Sequence, residues 1–256
     1  VEHSEALGGD PRNVTVMGQS AGAMSIACML MRRPRFQRGI LQSASLGRGF
    51  RSLDKAHEIA GIYLRAAGAA DLEQARTLPV QALLEAQQAA PVLRWLADEG
   101  AQRSLFAPVA DGAVLPRRPE EALKAAAAQV DVIAGYTLDE MAAFPGGGLD
   151  PASQVLGDQI YGAATRQWAA DATAQGRQAW CYRFDHRPNP AFGACHCIEL
   201  PFVFGTREAF RDAPMLRGLR TQDVERLTGE MQSDWLAFVR EGRPGWAPWP
   251  QQRIFS

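Results

Sequence analysis

The chain has 256 residues, enough for one large α/β domain or two small ones, and 46% of them are apolar, enough for a sizeable core. Its 27 basic and 28 acidic residues give a net charge of −1, so no large electrostatic field exists to hold nucleic acid or an anionic membrane. No run of about 18 apolar residues indicates a membrane-spanning helix. We expect a small-molecule partner of little charge.

The first predicted elements are a strand, a tight turn and a helix within residues 14–30. A Gly-x-Ser-x-Gly pentapeptide in that position is typical of a nucleophile elbow, in which Ser20 presents its hydroxyl above the sheet. We expect side chains at Gly18 and Gly22 to collide with backbone, and the N–H of Ala21 to point toward a forming oxyanion. The alternative is a Gly-rich turn that holds an ordinary serine.

Only about a dozen residues precede this strand, fewer than a parallel strand and its crossover require. We therefore expect strands to be missing on one side of the sheet. Either the chain is the C-terminal part of a larger enzyme, or residues 14–16 form an edge strand here. In both cases residues 1–256 form one partial α/β domain.

Further parallel strands are predicted at residues 39–43, 130–135 and 179–184, the last being the final clear strand. Ser43, in the turn after the first of these, either supports Ser20 or is a plain turn residue. Helices are predicted at residues 120–129, 159–175 and 222–240.

Residues 53–96 have helical spacing that is interrupted by Gly68 and Pro79 and closed by Pro91. We interpret them as a helical insertion that roofs the site rather than as a second domain with its own chemistry. The aromatic stretch at residues 199–205 is expected to wall an acyl pocket.

Two carboxylates, Asp139 and Glu140, follow the strand at 130–135, where the acid partner of a catalytic histidine is needed. A capping role, which suits Asp139, is the alternative. His3 and His57 are expected at the surface. His186 follows a strand directly and His196 lies in a loop with small neighbours, so the residues alone leave both as candidate bases.

The order Ser20, Glu140, His196 is the order of nucleophile, acid and base in the α/β-hydrolases. Residues 8–23, Gly-Gly-Asp-Pro-Arg-Asn-Val-Thr-Val-Met-Gly-Gln-Ser-Ala-Gly-Ala, resemble the nucleophile signature of the type-B carboxylesterases, which include cholinesterases and bacterial p-nitrobenzyl esterases. Later segments are similar to that family's landmarks in the same order, over residues 6–250. These segments are residues 40–45, 108–112, 135–140 and 193–205.

The resemblance implies a partial α/β-hydrolase fold with helical insertions, without the N-terminal strands and the oxyanion loop. It also implies a carboxylic ester hydrolase that acts on a small ester through an acyl-enzyme. In it Ser20 would be the nucleophile, Glu140 the acid and His196 the base. No cofactor and no metal ion are required.

The chain departs from the family at three points. Met141 and Cys197 stand where the family usually has Gly after the catalytic Glu and His. No glycine-rich oxyanion loop precedes Ser20, which leaves Ala21 as the single donor. Losing one donor costs about 2.7–4 kcal/mol of transition-state stabilisation, so we expect a complete triad with little activity in this chain.

Two rival interpretations remain. A cholinesterase-like scaffold or interaction domain would keep the fold without catalysis, but the intact triad argues against it. A metal site would use Cys181, Cys195, His196 and Cys197, yet three successive side chains do not converge on one tetrahedral ion and no CxxC pair exists. Four cysteines in a chain this long favour a reducing compartment such as the cytoplasm over a disulfide framework.

Overall fold

The computed structural model describes residues 3–32, 34–100 and 104–256. The chain divides into two compact units, one made of Val1–Gly47 with Glu121–Ser256 and the other of Arg48–Glu120. The described residues form seven strands: β1 Thr15–Gln19, β2 Arg38–Gln42, β3 Arg51–Ser52, β4 Val109–Ala110, β5 Asp131–Thr137, β6 Ala179–Phe184 and β7 Gln252–Phe255.

Ten α-helices occur in the described ranges: α1 Ala21–Leu30, α2 Leu53–Ala67, α3 Leu72–Thr77, α4 Val80–Gln87, α5 Ala90–Asp98, α6 Pro119–Ala126, α7 Pro151–Gly157, α8 Ala163–Ala174, α9 Leu200–Phe204 and α10 Thr221–Glu241. The helices predicted at residues 120–129, 159–175 and 222–240 are thus confirmed as α6, α8 and α10. A π-helical turn, Asp158–Gly162, precedes α8. Helix α7 was not predicted, although Asp150 caps it and Pro151 opens it.

The first unit is built on a parallel five-stranded sheet in the order β1-β2-β5-β6-β7. Among the described strands none pairs with the outer edge of β1. The strands predicted at residues 39–43, 130–135 and 179–184 are confirmed as β2, β5 and β6. Their near-continuous burial is what a parallel sheet covered on both faces requires.

Strand β7 corrects the prediction that residues 179–184 form the final strand. It has four residues and pairs in parallel with β6, and only Phe255 in it is fully buried, whereas Ile254 is 36% exposed. Such a short, half-exposed edge strand lacks the apolar run that identifies a central strand.

The core of the first unit lies between the sheet and α10. This helix buries Leu227, Met231, Trp235 and Phe238 at helical spacing. They pack in one cluster with side chains of β2, β5, β6 and β7, among them Ile40, Ile133, Tyr182, Phe184 and Phe255. This packing holds the carboxyl ends of the central strands in fixed register.

The second unit contains α2 to α5 and the two-stranded β3–β4 ladder. Its small core is formed by Ile59, Val92 and Trp95. Gly68 ends α2 with a positive φ of 75°. The prediction that Pro91 closes the helical stretch is wrong, because Pro91 lies in the first turn of α5, where its missing N–H costs nothing. That this insertion roofs the site stays a prediction.

Candidate active site

Ser20 lies on a strained turn between β1 and α1. Its backbone has φ 55° and ψ −117°, a region that non-Gly residues rarely adopt. Its N–H donates to the Gln42 carbonyl at 2.8 Å, and its carbonyl accepts the N–H of Met24 at 2.9 Å. The strain is therefore held by the neighbouring strand and the new helix, as in a nucleophile elbow.

The two glycines of the elbow differ in what they make possible. A Cβ at Gly18 would lie 2.5 Å from the carbonyl carbon of Gly22, so Gly18 lets strand and helix approach closely. A Cβ at Gly22 would meet nothing within 4 Å. The expected collision is therefore right for Gly18 and wrong for Gly22, because the Cα–Cβ direction at Gly22 leads away from the contact.

Ala21 is the first residue of α1. The first N–H groups of a helix have no partner within the helix, which makes them available to an anion. The oxyanion role of Ala21 stays a prediction. Ser43 has φ 47° and donates its N–H to the Gly135 carbonyl at 2.7 Å. Its hydroxyl is buried without a hydrogen-bond partner in the described residues, so it donates no hydrogen bond to Ser20.

Glu140 begins a 3₁₀ turn just after β5 and is 2% exposed. One carboxylate oxygen, Oε1, accepts the N–H of Thr137 at 2.9 Å. The other, Oε2, lies 2.5 Å from Nδ1 of His196. The main chain thus fixes the carboxylate with one oxygen aimed at the imidazole.

Asp139 has a different task, and its predicted capping role is wrong. Its buried carboxylate accepts two bonds from Arg187, at 2.6 and 2.7 Å, one from Gln154 at 2.6 Å and one from the N–H of Ala194 at 2.7 Å. Burial raises the pKa of Asp139, but these donors outweigh it and hold the pKa below its ordinary value. Asp139 therefore ties the end of β5 to the loop that carries His196.

His196 is 8% exposed and contacts both Glu140 and the elbow. Its Nε2 atom lies 3.1 Å from the side-chain nitrogen of Gln19, the residue just before Ser20. The structure thus brings Glu140 and His196 together and places the imidazole beside the elbow. Among the described contacts, the hydrogen bond of Nε2 is to Gln19 rather than to the Ser20 hydroxyl.

Two forces act on the proton affinity of His196. Burial lowers its pKa, whereas the neighbouring Cys197 thiol and the Glu140 carboxylate raise it, and the net pKa lies above the ordinary value of 6.5. Two aromatic rings, Phe144 and Tyr161, lie with their centroids 5.1 Å from the imidazole. Together they leave the ring little freedom.

The other histidines lie elsewhere. His186 packs against Phe184 and Phe202, and burial lowers its pKa. The charged groups that affect it are Asp223, Arg226 and Arg220, not members of the predicted site. His3 and His57 are exposed, as predicted. Only His196 among these four contacts Glu140.

The prediction that the aromatic stretch at residues 199–205 walls an acyl pocket is wrong for one of its rings. Phe202 does not wall a pocket, because it is 1% exposed and packs in the core against Phe184. Phe204 is 54% exposed and lines a cleft of about 390 Å³ with Met17 and Trp235. The rings beside His196 were missed, although Phe144 follows Glu140 by four residues.

Cys181, Cys195 and Cys197 are free thiols. Within residues 3–32, 34–100 and 104–256, no three His, Cys, Asp or Glu side chains are grouped so that they could hold a metal ion. In the same described part of the chain, no helix combines the length and the apolar character needed to cross a membrane.

Comparison with known proteins gives consistent matches. The model of the carboxylesterase family matches residues 2–152 and 147–253. A probable N-octanoylanthranilate hydrolase of Rhodococcus erythropolis is 37% identical over 279 residues, which cover 98% of this chain and 60% of that protein. The para-nitrobenzyl esterase of Bacillus subtilis is 30% identical, over 95% of this chain and 56% of that protein.

A solved structure of a thermophilic PNB esterase superposes with a TM-score of 0.81 at 28% identity, over 98% of this chain and 60% of that one. The chain thus spans 56–60% of the length of these relatives.

Proposed function

Because the chain belongs to the carboxylesterase family and has its α/β-hydrolase fold, we propose that the protein hydrolyses carboxylic esters through an acyl-enzyme on Ser20. The observation that carries the proposal is the buried contact between Glu140 and His196, formed next to a strained serine turn. A buried acid that orients an imidazole toward a serine is the arrangement of serine hydrolases.

The reaction begins when His196 Nε2 takes the proton of the Ser20 hydroxyl as that oxygen attacks the ester carbonyl. For this step the Gln19 side chain moves off Nε2, since it now holds the position that the hydroxyl needs. Glu140 keeps the Nδ1–H tautomer and stabilises the imidazolium. The N–H of Ala21 donates to the oxyanion.

Collapse of the tetrahedral intermediate releases the alcohol, which receives its proton from His196. Water then attacks the acyl-enzyme while the same imidazole accepts the water proton. The imidazolium returns that proton to the Ser20 oxygen as the bond to the acyl group breaks, and the acid leaves. Each proton is thus carried by Nε2 of His196, and after one turnover the side chains of the site have the same protonation states as before it.

The substrate we propose is a small ester of low charge, in keeping with a chain of net charge −1. The N-octanoylanthranilate in the name of the Rhodococcus erythropolis relative is an N-acyl compound. An acyl amide of an aromatic amine follows the same steps and therefore belongs among the test substrates, beside p-nitrophenyl acetate and octanoate.

The test is covalent labelling by a fluorophosphonate, read by intact mass. We expect one adduct on the wild-type protein and none on Ser20→Ala. Ser25→Ala is the matched control, because Ser25 is an exposed serine on α1 that bonds the Ala21 carbonyl. It should label as the wild type does. An adduct that persists in Ser20→Ala, or a wild type that does not label, overturns the proposal; the latter is also what a non-catalytic scaffold predicts.

A further inference from the structure

A further buried acid lies close in sequence to the predicted base. Glu199 follows His196 by three residues and is 0% exposed. Its Oε1 accepts a hydrogen bond from the side-chain N–H of Gln42 at 3.0 Å, while Oε2 is buried without a partner in the described residues. A buried carboxylate with one donor carries a large cost if it is charged.

Gln42 connects this acid to the nucleophile elbow. It is the last residue of β2 and is 1% exposed. Its main-chain carbonyl accepts the N–H of Ser20 at 2.8 Å, its side chain donates to Glu199, and its Oε1 accepts Nε1 of Trp235 at 3.4 Å. One residue therefore joins the strained turn of Ser20 to the segment that carries His196.

The titratable groups around Glu199 are Glu140, His196, Tyr182 and Cys195. Burial raises the pKa of Cys195 to about 12 and that of Tyr182 well above 10, so both stay neutral near pH 7. Burial, and then the charge of Glu140, raise the pKa of Glu199 to about 7.

We infer that Glu199 is a positioning residue of the hydrolytic site, which through Gln42 holds the elbow and the histidine segment together. The inference rests on the proposed function. When Glu199 ionises, a second negative charge joins that of Glu140 near the imidazole and favours its protonated form. That form cannot accept the Ser20 proton, so Glu199 delays the rise of activity with pH.

The test is the pH profile of kcat/KM for a p-nitrophenyl ester with the full-length protein. Glu199→Gln removes the ionisation but keeps the shape and the acceptor for Gln42. We expect its ascending limb to shift to lower pH by roughly half a unit, which is about a threefold gain on that limb. A profile that superposes on the wild-type profile overturns the inference.

Glu199→Leu tests the hydrogen bond rather than the charge. It leaves the Gln42 amide without its acceptor and breaks the link between the elbow and the histidine segment, so we expect kcat to fall about tenfold, which equals about 1.4 kcal/mol. KM should change little. An unchanged kcat overturns the bracing role. If Glu199→Leu does not fold, the pH profile of Glu199→Gln alone tests the role of Glu199. Asp223→Asn is the matched control, because Asp223 is a buried acid on α10 paired with Arg220. The ascending limb of its pH profile should coincide with that of the wild type.

Fluorophosphonate labelling separates the two proposals. A wild type that does not label on Ser20 removes the hydrolase proposal itself. A wild type that labels normally, with a Glu199→Gln profile that does not move, removes only the positioning role of Glu199.

Discussion

Cys197 holds a backbone conformation that favours glycine, with φ 71°. A residue with a Cβ loses about 1–2 kcal/mol in the left-handed region. Glycine avoids that strain but lowers the free energy of unfolding by about 0.5–1 kcal/mol, because its unfolded chain has more conformational freedom to lose on folding. Cys197→Gly is therefore expected to gain up to about 1.5 kcal/mol, which corresponds to about 3–6 °C in Tm for a domain of this size.

Cys197→Ala separates strain from chemistry, because it removes the thiol and keeps the Cβ. Both variants lose the interaction that raises the pKa of His196. A raised pKa keeps the imidazole protonated to higher pH, so removing its cause lets the base become neutral earlier. The ascending limb of kcat/KM should move to lower pH in both variants, while only Cys197→Gly should be more stable.

Two measurements check the expected effects: thermal unfolding of both variants at one pH, and kcat/KM for a p-nitrophenyl ester between pH 6 and 11, a range that spans the raised pKa of His196, about 10. Because both variants lack the thiol, the difference between their Tm values reports the backbone alone. Cys197→Gly no more stable than Cys197→Ala would refute the strain argument. A limb that moves in neither variant would refute the link between the thiol and the imidazole.

Two further pairs of variants, compared by urea unfolding, test the glycines of the elbow and the Asp139 carboxylate that ties β5 to the loop of His196. Gly18→Ala is expected to lose about 1–3 kcal/mol, because its Cβ would overlap the Gly22 backbone, whereas Gly22→Ala is expected to gain up to about 1 kcal/mol. A destabilised Gly22→Ala would contradict the difference between them. Asp139→Asn is expected to lose about 1.5–3 kcal/mol at pH 7, against less than about 1 kcal/mol for Asp158→Asn, whose similar pair with Arg166 is exposed. The lowered pKa of Asp139 means that its contribution is present above pH 3.8 and is lost as the pH falls through its folded value. The unfolding free energies of wild type and Asp139→Asn should therefore converge in acid. A difference between them that stays constant with pH would show that the charge of Asp139 is not what stabilises the fold.

Much of the fold is readable in neighbouring residues. The buried strands β2, β5 and β6 are continuous apolar runs, and α10 repeats its apolar residues at helical spacing, so each is specified within its own segment. Strand β7 is not, because a four-residue segment in which only Phe255 is fully buried becomes a strand only by pairing with the edge of β6. The same holds for Pro91, since a proline ends one helix or opens another according to how the residues on its C-terminal side pack.

For the site, the sequence by itself determined the serine turn, the carboxylates after β5 and the two candidate histidines, because these depend on local residue types and chain order. The family resemblance singled out Glu140 and His196, and the tertiary structure shows that these two side chains meet and that Gln19 contacts His196. The Gln42–Glu199 bond joins residues 157 positions apart. Contacts at such separations are set by the register of the sheet and the packing of its core. The pattern of residues within one segment does not predict them.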